Sequence, residues 1–326
     1  MANCLYCYQP LPEDGQPDFH EHCSLEFFGE KVAPVLPYTL SQMEQLARNV
    51  LERSITVPGV QPKISLSLER DKKTTTKQER LTVVGALGGN YIVKPPSGDY
   101  PGLPQNEHVT MRIAEEMDIR TVPSSLIRLA SGELAYITRR VDRTPDQQKI
   151  HMLDMFQITE ATDKYRSSME RIGKTLQRYA ANIGLDQVRF FELTAFAFLS
   201  GNSDMHLKNF SMIVNVEGIW GLAPAYDLLN VRIALPTDTE ELALTLNSKK
   251  SNLTRDDFDY LGRLCQLTER QLLGVYRRLS AKRAAAEAWL DRSFLSSKSK
   301  EQYKDVLAER YARLEGTIGT KKSPVR

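Results

Sequence analysis

The stretch GNSDMHLKNF, residues 201–210, decides how the rest of the chain is read. It follows FFELTAFAFLSG (190–201), an apolar run with helical spacing that ends on Gly201, the pattern of a core helix stopping where a loop begins. On that loop stand Asp204 and, five positions on, Asn209, while Asp227 in APAYD comes 18 residues after Asn209. A short loop leaving a buried helix can aim one carboxylate at a substrate hydroxyl and, a turn later, an amide oxygen at a metal. Hard Mg²⁺ takes oxygen ligands and few protein donors. This order of base, amide and second carboxylate is what Mg-ATP-dependent phosphoryl transfer asks for. The plain alternative is that Asp204, His206 and Asn209 are turn formers, since Asn and Asp favour loops anyway. Between Asn209 and Asp227, SMIVNVEGIWGLAP (211–224) reads as a short hairpin turning at Glu217-Gly218.

A second set of parts lies upstream. NYIVK (90–94) is a β-branched and aromatic strand, opened by Gly88-Gly89 and ending in Lys94, where a lysine would meet nucleotide phosphate. QNEHVTMRIAEEM (105–117) predicts a helix with Asn106 near its cap, Val109, Ile113 and Met117 on one face, and Glu107 in the first turn, placed to pair with Lys94. A solvated strand-end lysine and a carboxylate favoured by the helix dipole are the plain alternatives. RSITVPGVQPKISLSLE (53–69) reads as a strand, loop, strand lid: Pro58 and Gly59 break a β-like pattern that resumes over Lys63 to Leu68. Backbone N–H groups of such a loop, with Lys63 and the hydroxyls of Ser54 and Thr56, can cover phosphates. It contains neither GxGxxG nor a Walker sequence, so an ordinary hairpin loop remains open.

Together, SITVPGVQPKISL (54–66), YIVKPPSGDYPGLPQNEHVTMRIA (91–114), YITRRVDR (136–143), GNSDMHLKNF (201–210) and LAPAYDLL (222–229) resemble the HipA-like serine/threonine kinases, toxins of bacterial toxin–antitoxin systems. The resemblance covers most of the chain from about residue 50 to 290. It implies an α+β, bilobal protein-kinase-like (HipA-like) fold with a β-rich N-lobe and a helical C-lobe, using ATP and Mg²⁺. It implies Asp204 as catalytic base, Asn209 and Asp227 as Mg²⁺ ligands, and Lys94 as the ATP-phosphate lysine. The segment 54–63, with Gly59, Val60, Gln61 and Lys63, would be the phosphate loop. His206 and Lys208 fall at family positions, Lys208 neutralising charge on the transferring phosphate; Ile137 and Arg139 fall in the hinge and would offer backbone groups to adenine.

The resemblance further implies autophosphorylation at the front of the loop, on Ser54 and Thr56, where an added charge of about −2 disfavours holding ATP phosphates. The paired hydroxyls, and a loop that begins at residue 54, resemble the short HipT toxins of three-component HipBST systems. The implied partners are a small antitoxin protein resembling the missing HipA N-terminal subdomain and a helix-turn-helix DNA-binding protein. The implied activity is phosphorylation of a translation enzyme, an aminoacyl-tRNA synthetase and by the HipT likeness the tryptophanyl one, to arrest growth. A small-molecule kinase acting on an antibiotic or sugar is the alternative, because such kinases share the two-lobe plan and a base–x₄–Asn loop. A nonenzymatic partner that only binds ATP is a third reading.

The N-terminus departs from this pattern. CLYC (4–7), followed by His20, His22 and Cys23, has the layout of a Cys/His zinc site, in which Cys4, Cys7, Cys23 and one histidine, assigned to His20, complete a structural tetrahedron. Reduced thiols that merely pack are the alternative, and Cys265 in DYLGRLCQL (259–267) is read as core. Residues 1–30 form this Cys/His segment. Residues 31–52 are a linker around Pro34 and Pro37 followed by an amphipathic helix (40–52), and 53–145 are the β-rich lobe with a polar hairpin tip at 69–80. Residues 146–318 are the helical catalytic lobe, with helices expected in HMLDMFQIT (151–159), RIGKTLQRYAANIG (171–184), QVRFFELTAFAFLS (187–200), DDFDYLGRLCQL (256–267), ERQLLGVYRRLSAKRAAAEAWLDR (269–292) and EQYKDVLAERYARLEG (301–316). Residues 319–326 read as a disordered tail.

Composition sets outer bounds. The chain has 326 residues, 41% hydrophobic and 26% charged, enough for a large core. A net charge of +2 argues against direct nonspecific nucleic-acid binding, which needs a basic excess. No run approaches the ~20 apolar residues of a membrane span, and MANCLYCYQP lacks the apolar core of a signal peptide. Four cysteines outside a disulfide pattern suit a reducing cytoplasm.

Overall fold

Alternating burial along short strands builds the first half of the molecule. The computed structural model describes residues 2–53, 63–70, 79–83 and 88–315, so Ser54, Thr56, Gly59, Val60 and Gln61 lie outside the described residues. The chain divides into two compact units, one comprising Met1–Glu115, Arg120–His151 and Ala288–Ser296, the other Glu116–Ile119, Met152–Glu287 and the chain from Ser297 onward.

In the first unit, β1 (Ile64–Arg70), β2 (Glu79–Val83), β3 (Tyr91–Lys94), β4 (Ser124–Arg128) and β5 (Leu134–Arg139) form one antiparallel sheet in the order β2-β1-β3-β5-β4. Ile64, Leu66 and Leu81 are buried while Arg80 is exposed, the period-2 pattern of strands with one covered face. Register places Val93 opposite Ile137 and Lys94 opposite Tyr136. Two helices precede the sheet, α1 (Glu21–Phe28) and α2 (Leu40–Arg53).

Helix α3 (Leu103–Glu116) begins two residues before the sequence reading, so Glu107 lies in its second turn and Asn106 is helical rather than capping. The cause is local: Gly102 takes a left-handed φ of 77°, and Pro104, whose ring presets a helical φ, fits the first turn.

The second unit is organised by α6 (Ile183–Leu199), whose Phe190, Phe191, Phe196 and Phe198 are fully buried. From Phe190 to Leu199 every residue is buried, so this part of the helix is surrounded. It is surrounded by α5 (Met169–Tyr179), α8 (Arg255–Leu264), α9 (Glu269–Ala281) and α11 (Ser297–Glu315). Each phenylalanine in such a core is worth about 3–5 kcal/mol against alanine.

A small sheet joins β6 (Met152–Asp154), β7 (Ser211–Val214) and β8 (Trp220–Leu222) in the order β6-β7-β8. The β7–β8 hairpin turns at Gly218, φ 78°, as its turn chemistry predicts, and is tied to α6 by the Leu222 N–H donating to the Asp186 carboxylate at 3.1 Å. Two helical expectations are corrected. Of HMLDMFQIT, Met152–Asp154 is strand paired with β7, and only α4 (Met155–Ile158) is helical, opened by an Asp154/Gln157 capping box. ERQLLGVYRRLSAKRAAAEAWLDR is broken at Lys282 into α9 and α10 (Arg283–Arg292), with Tyr311 donating its hydroxyl to the Leu279 carbonyl at 2.9 Å beside the break. A one-turn α7 (Val231–Ala234) follows Asn230. Among the described residues no helix is long and apolar enough to cross a membrane.

Gly201 connects α6 to the loop at a φ of 68°, and a Cβ there would meet Val306 Cγ1 at 3.0 Å and Asn230 Oδ1 at 3.1 Å. Gly201→Ala is therefore expected to lower unfolding stability by about 1–3 kcal/mol, measured by denaturant titration.

Candidate active site

The loop after α6 holds its carboxylate and its amide in one hydrogen-bonded turn. Asn202 Oδ1 accepts from the Asp204 N–H at 3.1 Å, and the Asp204 carbonyl accepts from the His206 N–H at 2.8 Å and from Asn209 Nδ2 at 2.9 Å. Asn209, in a short 3₁₀ turn over Leu207–Asn209, thus spends its amide nitrogen on the loop and keeps Oδ1 as an oxygen with no hydrogen-bond partner among the described residues. An amide oxygen of this kind is a donor that a hard cation accepts.

Asp204 is partly exposed, and Tyr165 donates its hydroxyl to Asp204 Oδ1 at 2.8 Å. The Tyr165 ring lies edge-on to His206 at 5.0 Å. Burial, followed by the Asp204 charge and hydrogen bond, pushes the Tyr165 phenol up from its usual range, so it stays a donor. Burial draws His206 below the usual imidazole value, against the opposing pull of the Asp204 and Asp227 charges, and keeps it neutral near pH 7. His206 Nδ1 is buried without a hydrogen-bond partner among the described residues.

Asp227 returns to the same surroundings, since its charge acts on both Tyr165 and His206. Its φ of 62° is a left-handed conformation that a non-glycine residue holds only when its neighbours enforce it. Next to it, Tyr226 donates its hydroxyl to the Lys208 carbonyl at 2.8 Å and lies 2.5 Å from Ser211 Oγ, which ties the Asp227 segment to the loop. Lys208 itself is exposed, with its ammonium over the Phe156 ring at 4.8 Å and its charge acting on Asp154. Sequence reasoning missed Tyr165: it lies 39 residues before Asp204, in a segment with no motif.

In the first unit, Lys94 Nζ donates to Glu107 Oε1 at 2.5 Å, with the two residues 3% and 1% exposed. The ammonium also lies 5.3 Å from the Tyr136 ring centroid. Lys63 is exposed just before β1. Ile137 is paired with both Val93 and Ser125 in the middle of the sheet, and the Arg139 N–H is donated to the Pro123 carbonyl at 2.9 Å.

The N-terminal residues form a separate cluster. The ligand atoms of Cys4, Cys7, His20 and Cys23 all lie within 4.8 Å of one another. Mutual hydrogen bonding draws the Cys4 thiol down and pushes Cys23 up. Cys265 is buried at the end of α8 and its thiol is pushed up to about 12 by burial.

A β-sheet unit carrying a buried lysine–glutamate pair and a helical unit carrying an Asp-x₄-Asn loop define a kinase-like fold. Residues 55–290 match the HipA-like C-terminal domain, and the chain belongs to that family. It is 28% identical over 257 residues to a putative kinase of Haemophilus influenzae, covering 70% of this chain and 72% of that protein. It is 32% identical over 238 residues to the putative kinase Y4dM of Sinorhizobium fredii, covering 68% of this chain but 56% of that one. Among solved structures it resembles HipA of Shewanella oneidensis, in the complex of that toxin–antitoxin system with HipB and operator DNA, at a TM-score of 0.67 and 19% identity over 87% of this chain and 72% of that one. It also resembles the Helicobacter pylori proinflammatory kinase CtkA, at 0.51 and 15% over 72% and 90%.

The Lys94–Glu107 pair is open to a stability test. Removing one member of a buried ion pair strands the other, so Glu107→Gln and Lys94→Met are each expected to lower stability by about 3–5 kcal/mol. The double variant is expected to lose much less than their sum, which a double-mutant cycle of urea unfolding measures.

Proposed function

We propose that the chain is a Mg-ATP-dependent serine/threonine protein kinase acting as the toxin of a toxin–antitoxin system. The observation that carries this reading is the Asp204–Asn209 turn, with Asn209 Nδ2 held by the Asp204 carbonyl and the Asp227 segment tied to the same loop by the Tyr226 hydroxyl on the Lys208 carbonyl. A turn used only for its shape has no reason to hold a partly exposed carboxylate together with an amide oxygen that has no hydrogen-bond partner among the described residues.

In this reading Asp204 accepts the proton of the attacking serine or threonine hydroxyl as that oxygen bonds to the γ-phosphorus and ADP leaves. The Tyr165 hydroxyl on Oδ1 orients the carboxylate. Asn209 Oδ1 and the Asp227 carboxylate are the oxygens that would hold Mg²⁺, which when bound offsets charge on the phosphates. Lys94, paired with Glu107, binds phosphate oxygens, with Lys63 and the 54–62 segment covering them. His206, neutral and buried, packs against Tyr165 and supports the loop rather than acting as a cation.

The substrate is proposed to be a translation enzyme, an aminoacyl-tRNA synthetase such as the tryptophanyl one, whose modification arrests growth in the cytoplasm. Ser54 and Thr56 are proposed as self-modified sites. Antitoxin proteins, one of them a DNA-binding partner, are proposed to restrain the chain, as the complex of Shewanella HipA with HipB and operator DNA suggests.

Intact-mass measurement with Mg-ATP tests the reading. The wild type is expected to gain phosphate on the peptide holding Ser54 and Thr56, and Asp204→Ala to lose the rate by about 10²–10⁴-fold without unfolding. Asp227→Ala is expected to lose Mg²⁺-dependent ATP affinity. Bound ATP with no protein phosphorylation, in the chain itself or in lysate, would sink the protein-kinase reading and leave a small-molecule kinase.

A further inference from the structure

The cysteine cluster at the N-terminus has the geometry of a metal centre rather than of packed thiols. Zinc bonds of about 2.3 Å to sulfur and 2.0 Å to nitrogen put tetrahedral S···N edges at roughly 3.5 Å. Cys7 Sγ and Cys23 Sγ lie 3.4 and 3.8 Å from His20 Nδ1. On its other side, His20 Nε2 lies 3.0 Å from the Pro10 carbonyl, an oxygen that can only accept. That contact turns Nδ1 toward the sulfurs, the orientation that a carbonyl behind the ring gives a metal-binding imidazole. His20 is also the N-cap of α1, where Ser, Thr, Asp or Asn would satisfy the helix, yet it makes no side-chain cap. Its ring is used elsewhere.

The sequence around the cluster faces α3. Tyr6 and Tyr8 flank Cys7. The Tyr8 hydroxyl lies 2.7 Å from His108 Nδ1, and the Arg112 guanidinium lies over the Tyr6 ring at 4.7 Å. Leu5 accepts through its carbonyl from the Leu126 N–H at 3.4 Å, and Asp18 pairs with Arg128 at 2.8 Å, so the same segment also holds β4. His108 and Arg112 belong to the helix whose Glu107 holds Lys94.

We propose that Cys4, Cys7 and Cys23, as thiolates, and His20 through Nδ1 hold one structural zinc ion, and that the resulting knuckle braces the back of α3 and thereby the Glu107 that holds Lys94. Three thiolates and one imidazole in a closed set leave no open position, so the ion is structural rather than catalytic. Binding releases the remaining thiol protons to solvent, and no oxidant is needed. His22 is outside the set: it is exposed and stacked on His20 at 5.1 Å, and among the described residues its Nε2 meets Cys23 Sγ alone of the three cysteines.

The test is metal content of the full chain, prepared without a polyhistidine tag and under reducing conditions from zinc-supplied cells. About one zinc per chain is expected in the wild type and in His22→Ala, and none in His20→Ala or Cys7→Ser. Because those variants can be destabilised, the wild type is also stripped with a strong chelator. Stripping is expected to lower its Tm and to speed amide hydrogen exchange over 103–115, with zinc re-addition restoring both. Wild type without zinc, zinc retained by Cys7→Ser, or zinc lost by His22→Ala but kept by His20→Ala would overturn the ligand set. Removal of zinc with α3 exchange unchanged would overturn the brace. None of these readouts requires ATP turnover, so failure here and failure of the kinase reading are distinguishable.

Discussion

A lysine ammonium has no place inside a protein unless a partner waits for it, and the first unit is arranged around that condition. Lys94 ends β3 with its charge out of water, and Glu107 on α3 meets it at 2.5 Å. Desolvating two charges is repaid only by good geometry, so strand and helix are held in one relation to each other. α3 is accordingly covered on most of its surface, with His108, Val109, Thr110, Met111 and Ile113 all buried. On it, His108 Nδ1 meets the Tyr8 hydroxyl, and Arg112 meets Glu115 and the Tyr6 and Trp289 rings. The N-terminal segment is thus part of the structure that fixes the lysine, rather than an appendage to it.

The second unit meets a related demand by other means. Its loop must present a carboxylate and an amide oxygen reproducibly, and a loop with no anchor would not. Here the anchor is α6, whose burial from Phe190 to Leu199 sets where the chain emerges. Gly201 permits the left-handed exit, its carbonyl accepts from Val231, and Asn230 closes against it. The β7–β8 hairpin, tied to α6 through Asp186, then returns the chain to Asp227. The rigid parts are apolar helix and sheet, and the chemistry-bearing residues stand where those parts end.

Much of this was legible in the sequence where the signal is local. The amphipathic period of 40–52 marks α2, and Asn215 to Gly218 carry the turn of the hairpin in their own chemistry. The α6 core helix and its stop at Gly201 follow from composition and one glycine. What failed were short or interrupted elements. Met152–Asp154 is strand because β7 lies beside it, and three residues carry too little pattern to show that. The run at Lys282 has high helix propensity on both sides, and the break lies where Tyr311, 29 residues away in sequence, takes hold beside it on the Leu279 carbonyl.

The order of residue types along the chain determined by itself which groups are available for chemistry: the lysine at a strand end, the Asp-x₄-Asn loop, the later Asp227, and the thiols with their two histidines. These signals survive in one dimension because each depends on neighbours within a few residues. Tertiary structure alone decided what surrounds them. It placed Tyr165 on Asp204, drew His206 to neutrality by burial, turned His20 rather than His22 into the cluster with its far nitrogen toward Pro10, and committed Ile137 and Arg139 to the sheet. Burial, hydrogen-bond partners and local charge are sums over segments distant in sequence, so they become definite only when the chain is folded.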